Sequence, residues 1–498
     1  MQPVFFRDLK RNMRLMQDAL HLDENSDIVL RELDAMGQRC ALYYVDGMVG
    51  SSLAADFVIR PLLRCTQEYQ GEQAVEAVTR RLIEAPEVRR IPSPTEAVGA
   101  LMNGLCVLIV DTADEAVAVD VRFFVKRSIG PSKTETVVIG PHEAFTEPLR
   151  DNLTLLHRML PTPDLICKRL TVGTKVKTNV ALCYLKDICP EETVRQLESR
   201  ITSAQVDDVM TIGILDQLIE DDPYAPLPQT VSSERPDRAV SFLLEGQAVV
   251  LFDGSPRCLA MPMTLWHLFH APDDSYMRWQ YGSCMRIIRL IGAALSLFLP
   301  GVFVSIVIFH PISLPMSLLT NIIQSRSVIS ISLLNEGVLM LAVFALINEA
   351  GTRIPGLLGS SFGLVSTLIL GTAAVDAGLV SPFLLIVVAL SGLGSYALPD
   401  YSLSFAFRVG QFLILLAGGL LGLPGVCLTG MLLLFRVAGM QSLGQPYLAP
   451  RSPRRMHNPD LVLRAPVYRQ RLRTWLADPA DALRARGRMR RFGRRKKR

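Results

Sequence analysis

Charge is scarce where this sequence is most apolar. Residues 290–445 hold few ionisable side chains, and no lysine occurs between Lys186 and Lys496. A soluble domain of ordinary composition is about a quarter charged. This stretch is therefore expected in a bilayer. A signal peptide is also missing: Met1 to Leu20 is amphipathic and charged, with no apolar core. The first domain is expected to stay in the cytoplasm. The nine cysteines are odd in number, scattered and free of any CxxC pair. They are expected as buried small hydrophobes in a reducing compartment, not as a disulfide frame or zinc site. No phosphate loop, GxSxG elbow, HExxH or clustered His/Cys set occurs. The expectation is no enzyme, no cofactor and no metal. Asp46, Asp111 and Asp253 each follow an apolar run. Catalytic acids could sit there, but turn acids at strand ends are commoner, and Asp253-Gly254 suits a hairpin turn.

What is present divides the chain. With 498 residues it exceeds one ordinary domain. The last 48 residues carry 17 Lys+Arg and 3 Asp, a net of +14, leaving −9 for residues 1–450 of a chain that totals +5. A basic tail beside membrane spans suits anionic lipid on the cytoplasmic side. Nucleic acid is not expected as a partner, since no aromatic platform or groove-reading motif accompanies the tail. The expected domains are 1–140 and 141–285, two cytoplasmic α/β subdomains; 286–445, a transmembrane domain of about six helices; and 446–498, a basic cytoplasmic tail.

The two subdomains resemble each other. Ala41-Leu42-Tyr43-Tyr44-Val45-Asp46 returns as Ala181-Leu182-Cys183-Tyr184-Leu185-Lys186. Residues 97–104, running into 107–111, return as 239–246 running into 249–253. The offsets, 140 and 142, nearly agree, which suggests a tandem duplication. Each copy reads as a strand (41–45, 180–185), helices (53–69 and 72–84; 191–200 and 209–219), then a short helix and two strands, the last at 116–124 and 257–263. Between the copies, 152–160 has helical pattern. The proline-rich 221–237 reads as a loop. Leu9–Leu20 reads as an amphipathic helix docked on the domain in preference to a membrane anchor.

A span needs about 20 apolar residues. Leu290–Phe309, Ser327–Asn348, Gly356–Val375 and Ala377–Leu398 are four candidates, and Val409–Phe435 is a fifth, broken at Leu423-Pro424-Gly425. Arg286, Arg289 and the basic tail would both lie inside, so the crossings should be even in number. Splitting the last stretch into 403–423 and 425–440 gives six. In the third span Gly359, Gly363, Thr367 and Gly371 share a helical face, with Ser360, Ser361 and Ser366 nearby. Close helix packing is one reading; a narrow aqueous path in an oligomer is the other. Glu336 interrupts the second span, and an acid there must face protein or water. Glu349 precedes Arg353 by four residues and is expected to pair with it. Asp376, between spans, reads as interfacial.

In order along the chain, several stretches resemble the A subunit of GerA-type spore germinant receptors: 27–32 (Asp-Ile-Val-Leu-Arg-Glu), 44–47, 226–229, 233–237, 296–300, 309–311, 349–355 (Glu-Ala-Gly-Thr-Arg-Ile-Pro), 377–382 (Ala-Gly-Leu-Val-Ser-Pro), 446–450 and 464–466. The arginine-rich extension after Trp475 departs from that pattern. A SpoVAF-type paralogue shares the architecture; the opening Asp-Ile-Val-x-Arg-Glu and 415–418 look closer to the receptor subunit. The resemblance implies a protein of the spore inner membrane that works with a transporter-like B subunit and a lipoprotein C subunit. It further implies self-association into a nutrient-gated cation channel, with Gly359, Gly363, Ser366, Thr367, Gly371 and Glu336 as pore-lining or gating candidates. A non-conducting membrane scaffold is the alternative.

Overall fold

The computed structural model describes residues 4–123, 135, 137, 139–353, 371–454, 460–474 and 477–484. Ten strands make two antiparallel five-stranded sheets. Strands β1 (Ile28–Ala35), β2 (Gln38–Val45), β3 (Val88–Ile91), β4 (Cys106–Val110) and β5 (Ala116–Val119) are ordered β1-β2-β4-β5-β3. Strands β6 (Leu165–Val172), β7 (Thr178–Leu185), β8 (Val231–Ser233), β9 (Ala248–Phe252) and β10 (Cys258–Met261) are ordered β6-β7-β9-β10-β8. The two orders are the same. The β1–β2 hairpin turns on Met36 and Gly37, both at positive φ (59° and 75°), which is the backbone a two-residue turn between twisted strands needs.

Helices cover both faces of each sheet, because successive strand residues point to opposite sides. In β2, Cys40 and Leu42 meet the helices over 51–64 and 72–82. Ala41, Tyr43 and Val45 meet the Leu9–Leu20 and Pro94–Met102 helices. In the second unit, Cys183 and Leu185 face the Leu149–Met159 and Pro236–Leu244 helices. Leu182 and Tyr184 face Glu191–Ser203 and Ile212–Ile219. The Leu9–Leu20 helix buries Leu9, Asn12, Met16 and Leu20 along one stripe, as expected for a docked helix.

The likeness reaches individual hydrogen bonds. Asp111 Oδ1 accepts from the backbone N–H of Leu9 at 3.0 Å; Asp253 Oδ1 accepts from that of Leu149 at 3.1 Å. The acids at the strand ends thus satisfy helix N-termini that would otherwise leave donors unpaired. Asn12 clamps Phe6 through both its N–H and C=O, and Asn152 clamps Thr146 in the same way. Helices 94–102 and 236–244 both begin with proline at the first helical position, where no donor is lost.

Long apolar helices follow. Trp279–Phe309, Leu333–Ala350 and Tyr401–Leu421 are long and apolar enough to cross a membrane; Pro382–Tyr396 and Leu423–Gly439 are shorter apolar helices. The first helix starts well before Leu290, because its polar first turns dock on the soluble region. The second starts at Leu333 and not Ser327, and the fourth candidate begins at Pro382, after Gly378 at φ 65°. The Met316–Arg326 helix was not expected from the sequence. The break expected at 423–425 falls just before it: Gly422, at φ 71°, reverses the chain, and Leu423–Gly425 open the last helix with proline in its first turn. Trp279–Phe309 is the packing centre. A Cβ on Gly394 would lie 2.3 Å from the Gly292 carbonyl oxygen, and one on Gly418 would lie 2.6 Å from that of Gly301. Backbones approach this closely only through glycine, the small-residue packing familiar in membrane helices. Most of the third candidate span, including Gly359, Ser360, Ser361, Gly363, Ser366 and Thr367, lies outside the described residues.

Candidate functional site

The helical region buries one acid completely. Glu336 sits in the first turn of the 333–353 helix with no exposed surface. Its Oε1 accepts from the backbone N–H of Ser381 at 2.5 Å and from the Ser381 hydroxyl at 2.6 Å. Ser381 is the N-cap of the Pro382–Tyr396 helix, so the carboxylate faces the positive end of that helix dipole. Oε2 stands 3.6 Å from Arg326 Nε, an ionic contact too long for a hydrogen bond. One carboxylate thereby ties together the 316–326, 333–353 and 382–396 helices.

A cavity of about 410 Å³ opens between the 333–353, 382–396 and 401–421 helices. Phe344, Val388 and Phe412 line it, and Glu349, Arg408 and Gln411 give it polar atoms. Gln411 donates to the Ser391 hydroxyl, which donates to the Ser296 carbonyl at 3.2 Å. Gly371, the one described member of the expected small-residue face, is buried, and a Cβ there would sit 3.3 Å from Leu385. The expected Glu349–Arg353 pair falls on the Arg353 side chain, outside the described residues.

Two charged junctions frame the soluble units. Between the second sheet unit and the first membrane helix, buried Asp274 Oδ2 accepts from Arg286 Nε at 3.1 Å and Arg289 Nη1 at 2.7 Å. Arg286 Nη1 also reaches Asp460 Oδ1 at 2.8 Å. Burial, opposed by Arg286, raises the Asp460 pKa. Nearby His267 and His270 are buried. Burial and then Arg238 push His267 down to about 3; burial and then Arg286 push His270 well below its ordinary value. Described parts of the tail close this junction. Arg464 donates to the carbonyls of Asp274, Ser275 and Met277, and Glu245 accepts from the Thr474 N–H and hydroxyl, both at 2.7 Å.

Between the two sheet units, Asn25–Asp27 lies along the edge of β6. Ser26 N–H donates to the Cys167 carbonyl at 3.1 Å, and Asn25 Nδ2 to that of Leu165 at 3.1 Å. Asp27, fully buried, meets His157 Nε2 at 3.3 Å and Arg169 Nε at 3.1 Å. Asp46 bridges Arg169 at 2.7 Å and Arg150 at 2.8 Å. All three acids singled out in the sequence therefore have structural partners. Asp460, His157 and Arg169 could not be found from the sequence, because their partners lie far away along the chain; Asp274, only 12 and 15 residues from Arg286 and Arg289, was passed over among the polar residues before the first apolar helix.

A two-sheet α/β region clamped by buried ion pairs to a bundle of apolar helices defines a membrane protein with a large extramembrane domain. The family described as Bacillus/Clostridium GerA spore germination protein matches residues 16–475. The chain is 32% identical over 435 residues to spore germination protein GerLA of Bacillus cereus, covering 87% of this chain and 88% of that one. It is 27% identical over 454 residues to stage V sporulation protein AF of Bacillus subtilis (strain 168), covering 90% of each. The crystal structure of the N-terminal domain of the A subunit of the Bacillus megaterium spore germinant receptor GerK3 matches at 26% identity and a TM-score of 0.42, over 53% of this chain and 97% of that one. The chain belongs to the GerA family of spore germination proteins.

Proposed function

We propose that the chain is the A subunit of a nutrient germinant receptor and forms an oligomeric cation channel in the spore inner membrane. Its partners are a transporter-like B subunit and a lipoprotein C subunit. The chain catalyses no reaction. Its two similar sheet units arose by tandem duplication and lie in the cytoplasm. Nutrient bound by the partner favours an open state of the oligomer, through contacts that differ between the closed and open states.

The observation that carries the channel reading is Glu336, an acid with no exposed surface among membrane helices. Ionisable groups buried among membrane helices are costly and often mark ion or proton pathways. Gly359, Gly363, Ser366, Thr367 and Gly371 are the proposed pore-facing residues. Six crossings are supported by where the helix ends fall. Arg286 at the start and Arg436 at the end both pair with soluble-region acids, Arg436 with Asp222 at 2.9 Å. The 333–353 helix begins beside Arg326 and ends near Tyr396, whose hydroxyl donates to Asn348 at 2.5 Å. Gly378 lies beside Val328, back at the far side.

Purified full-length protein in planar bilayers tests the proposal. Cation conductance that falls with Glu336→Gln and Thr367→Leu, at unchanged membrane abundance, supports it. A silent bilayer favours the non-conducting scaffold. Germination that proceeds with every nutrient in a deletion strain, but more slowly, favours a SpoVAF-type accessory subunit.

A further inference from the structure

The junction between the two sheet units brings together side chains that no stretch of sequence groups. Asp27 precedes β1, His157 lies in the Leu149–Met159 helix, and Cys167 lies on β6. Their donor atoms all lie within 4.8 Å of one another and all three residues are buried. His157 Nε2 is 3.3 Å from Asp27 Oδ2 and 4.0 Å from Cys167 Sγ. Cys183 sits directly opposite Cys167 in the β6–β7 register, on the same sheet face. Carboxylate oxygen, imidazole nitrogen and the Cys167 sulfur therefore converge on one buried point, with a second buried thiol on the neighbouring strand.

We propose that this point is a structural zinc site, with Asp27, His157, Cys167 and Cys183 as its four ligands. The proposal is independent of the channel reading. Tetrahedral zinc with nitrogen and oxygen at about 2.0 Å and sulfur at about 2.3 Å separates its ligand atoms by roughly 3.3–3.8 Å. The His157–Asp27 separation matches that edge. The His157–Cys167 separation closes by a few tenths of an ångström when an ion draws the ligands in. Mixed nitrogen and thiolate donors select zinc over the hard cations magnesium and calcium.

Charge agrees with geometry. A dication with one carboxylate, two thiolates and a neutral imidazole carries one net negative charge. Arg169 Nε, 3.1 Å from Asp27 Oδ1, supplies the balancing positive charge and fixes the carboxylate so that Oδ2 faces the ligand atoms. Such outer partners orient ligands in metal sites. Ion entry releases the thiol protons to water, and no redox change is involved. The consequence is mechanical. Asp27 belongs to the first sheet unit and the other three ligands to the second, so the ion clips the two units in one orientation.

The test is zinc content of full-length protein purified in detergent through a tag that binds no metal. About one zinc per chain is expected after dialysis, falling at least tenfold in Cys167→Ser and in His157→Gln. Wild-type protein exchanged with Co²⁺ should show thiolate-to-cobalt absorption in the near ultraviolet and the intense visible bands of tetrahedral cobalt. Cys183→Ser should roughly halve the thiolate bands; an unchanged spectrum overturns the four-ligand set. A wild-type chain that holds no zinc and gives no thiolate bands with Co²⁺ overturns the site, whether or not the variants fold. So does equal zinc in the wild type and all variants.

Discussion

The two junctions that hold the soluble units in place use buried charge in different ways. Between the sheet units, one buried carboxylate, Asp27, is shared by an imidazole that can lose its proton and by Arg169, which is 43% exposed. Between the second unit and the first membrane helix, one buried carboxylate, Asp274, is shared by two arginines that cannot lose theirs, both nearly covered. The first junction can adjust its charge state when a partner is lost. The second has no such freedom: removing its acid leaves Arg289 without a countercharge under protein and Arg286 with Asp460 alone. Helix and soluble region are therefore coupled more rigidly than the two sheet units are to each other. A signal passing from the membrane to the soluble region would meet its stiffest link at Asp274.

Asp274→Ala gives the strongest test of that contrast. Leaving a buried ion pair without one partner costs about 3–5 kcal/mol. The variant should lose much of its thermal stability in detergent and accumulate poorly in membranes. Pairing it with Arg289→Met should recover part of the loss, because the cation left without a countercharge is gone. A single variant as stable as the wild type would place the coupling elsewhere.

Asp27→Asn should cost less, about 1.5–3 kcal/mol, the scale of a hydrogen bond to a charged group. His157 can shed its proton and Arg169 can turn to Asp46 and solvent. The comparison is made by thermal melts in chelator, so that a bound ion does not enter. If Asp27→Asn proves as damaging as Asp274→Ala, the first junction adjusts its charge no more readily than the second.

Legibility in the sequence follows the same physics. The strands read correctly, β2, β4, β5, β7, β9 and β10, are the inner ones, buried on both faces and continuously apolar. Those passed over, β1, β3, β6 and β8, are all edge strands, where Arg31, Glu32, Arg89, Arg90, Lys168 and Arg169 break the apolar pattern. Edge strands carry such residues because an apolar edge invites wrong pairing. For this reason 221–237, read as a loop, contains β8. The repeat was visible at 41–46 and 97–111, yet its strongest mark was not. Asp111 and Asp253 cap helices that begin 102 and 104 residues away along the chain. The intramembrane acid Glu336 was legible because charge is rare there. The ligand cluster at Asp27, His157 and Cys167 was not, since Asp27 lies 130 residues from His157 and only the fold joins them.

Acid should weaken the membrane junction selectively. His267 and His270 are held neutral in the folded chain, below the ordinary histidine value of 6.5. Arg238 and Arg286 face them, so a proton gained there meets like charge as well as burial. The unfolded chain takes up protons below about pH 6.5 while the folded one does not. Their contribution is therefore complete above pH 6.5 and is lost as pH falls from there towards about 3, the folded value for His267. Each histidine should cost about 1.4 kcal/mol per pH unit in that window. Melting temperatures at neutral and mildly acidic pH should diverge less for His267→Gln than for the wild type. An equal fall in both would mean that His267 takes no part in the acid response.

The smallest effect expected is at the rim of the sheet-unit junction. Arg150 reaches Asp46 at 2.8 Å, but half its side chain is in water, and Arg169 already holds the same carboxylate at 2.7 Å. Arg150→Ala should therefore cost less than about 1 kcal/mol. What little it costs should vanish in high salt, because exposed pairs are screened while covered ones are not. Its salt dependence is more informative than its size. Asp274→Ala should lose as much at high salt as at low, since its charges lie under protein. If Arg150→Ala instead proved large and salt-independent, the outer ring of the first junction would be held as tightly as the core of the second. The softer coupling between the sheet units would then have no basis in their charges.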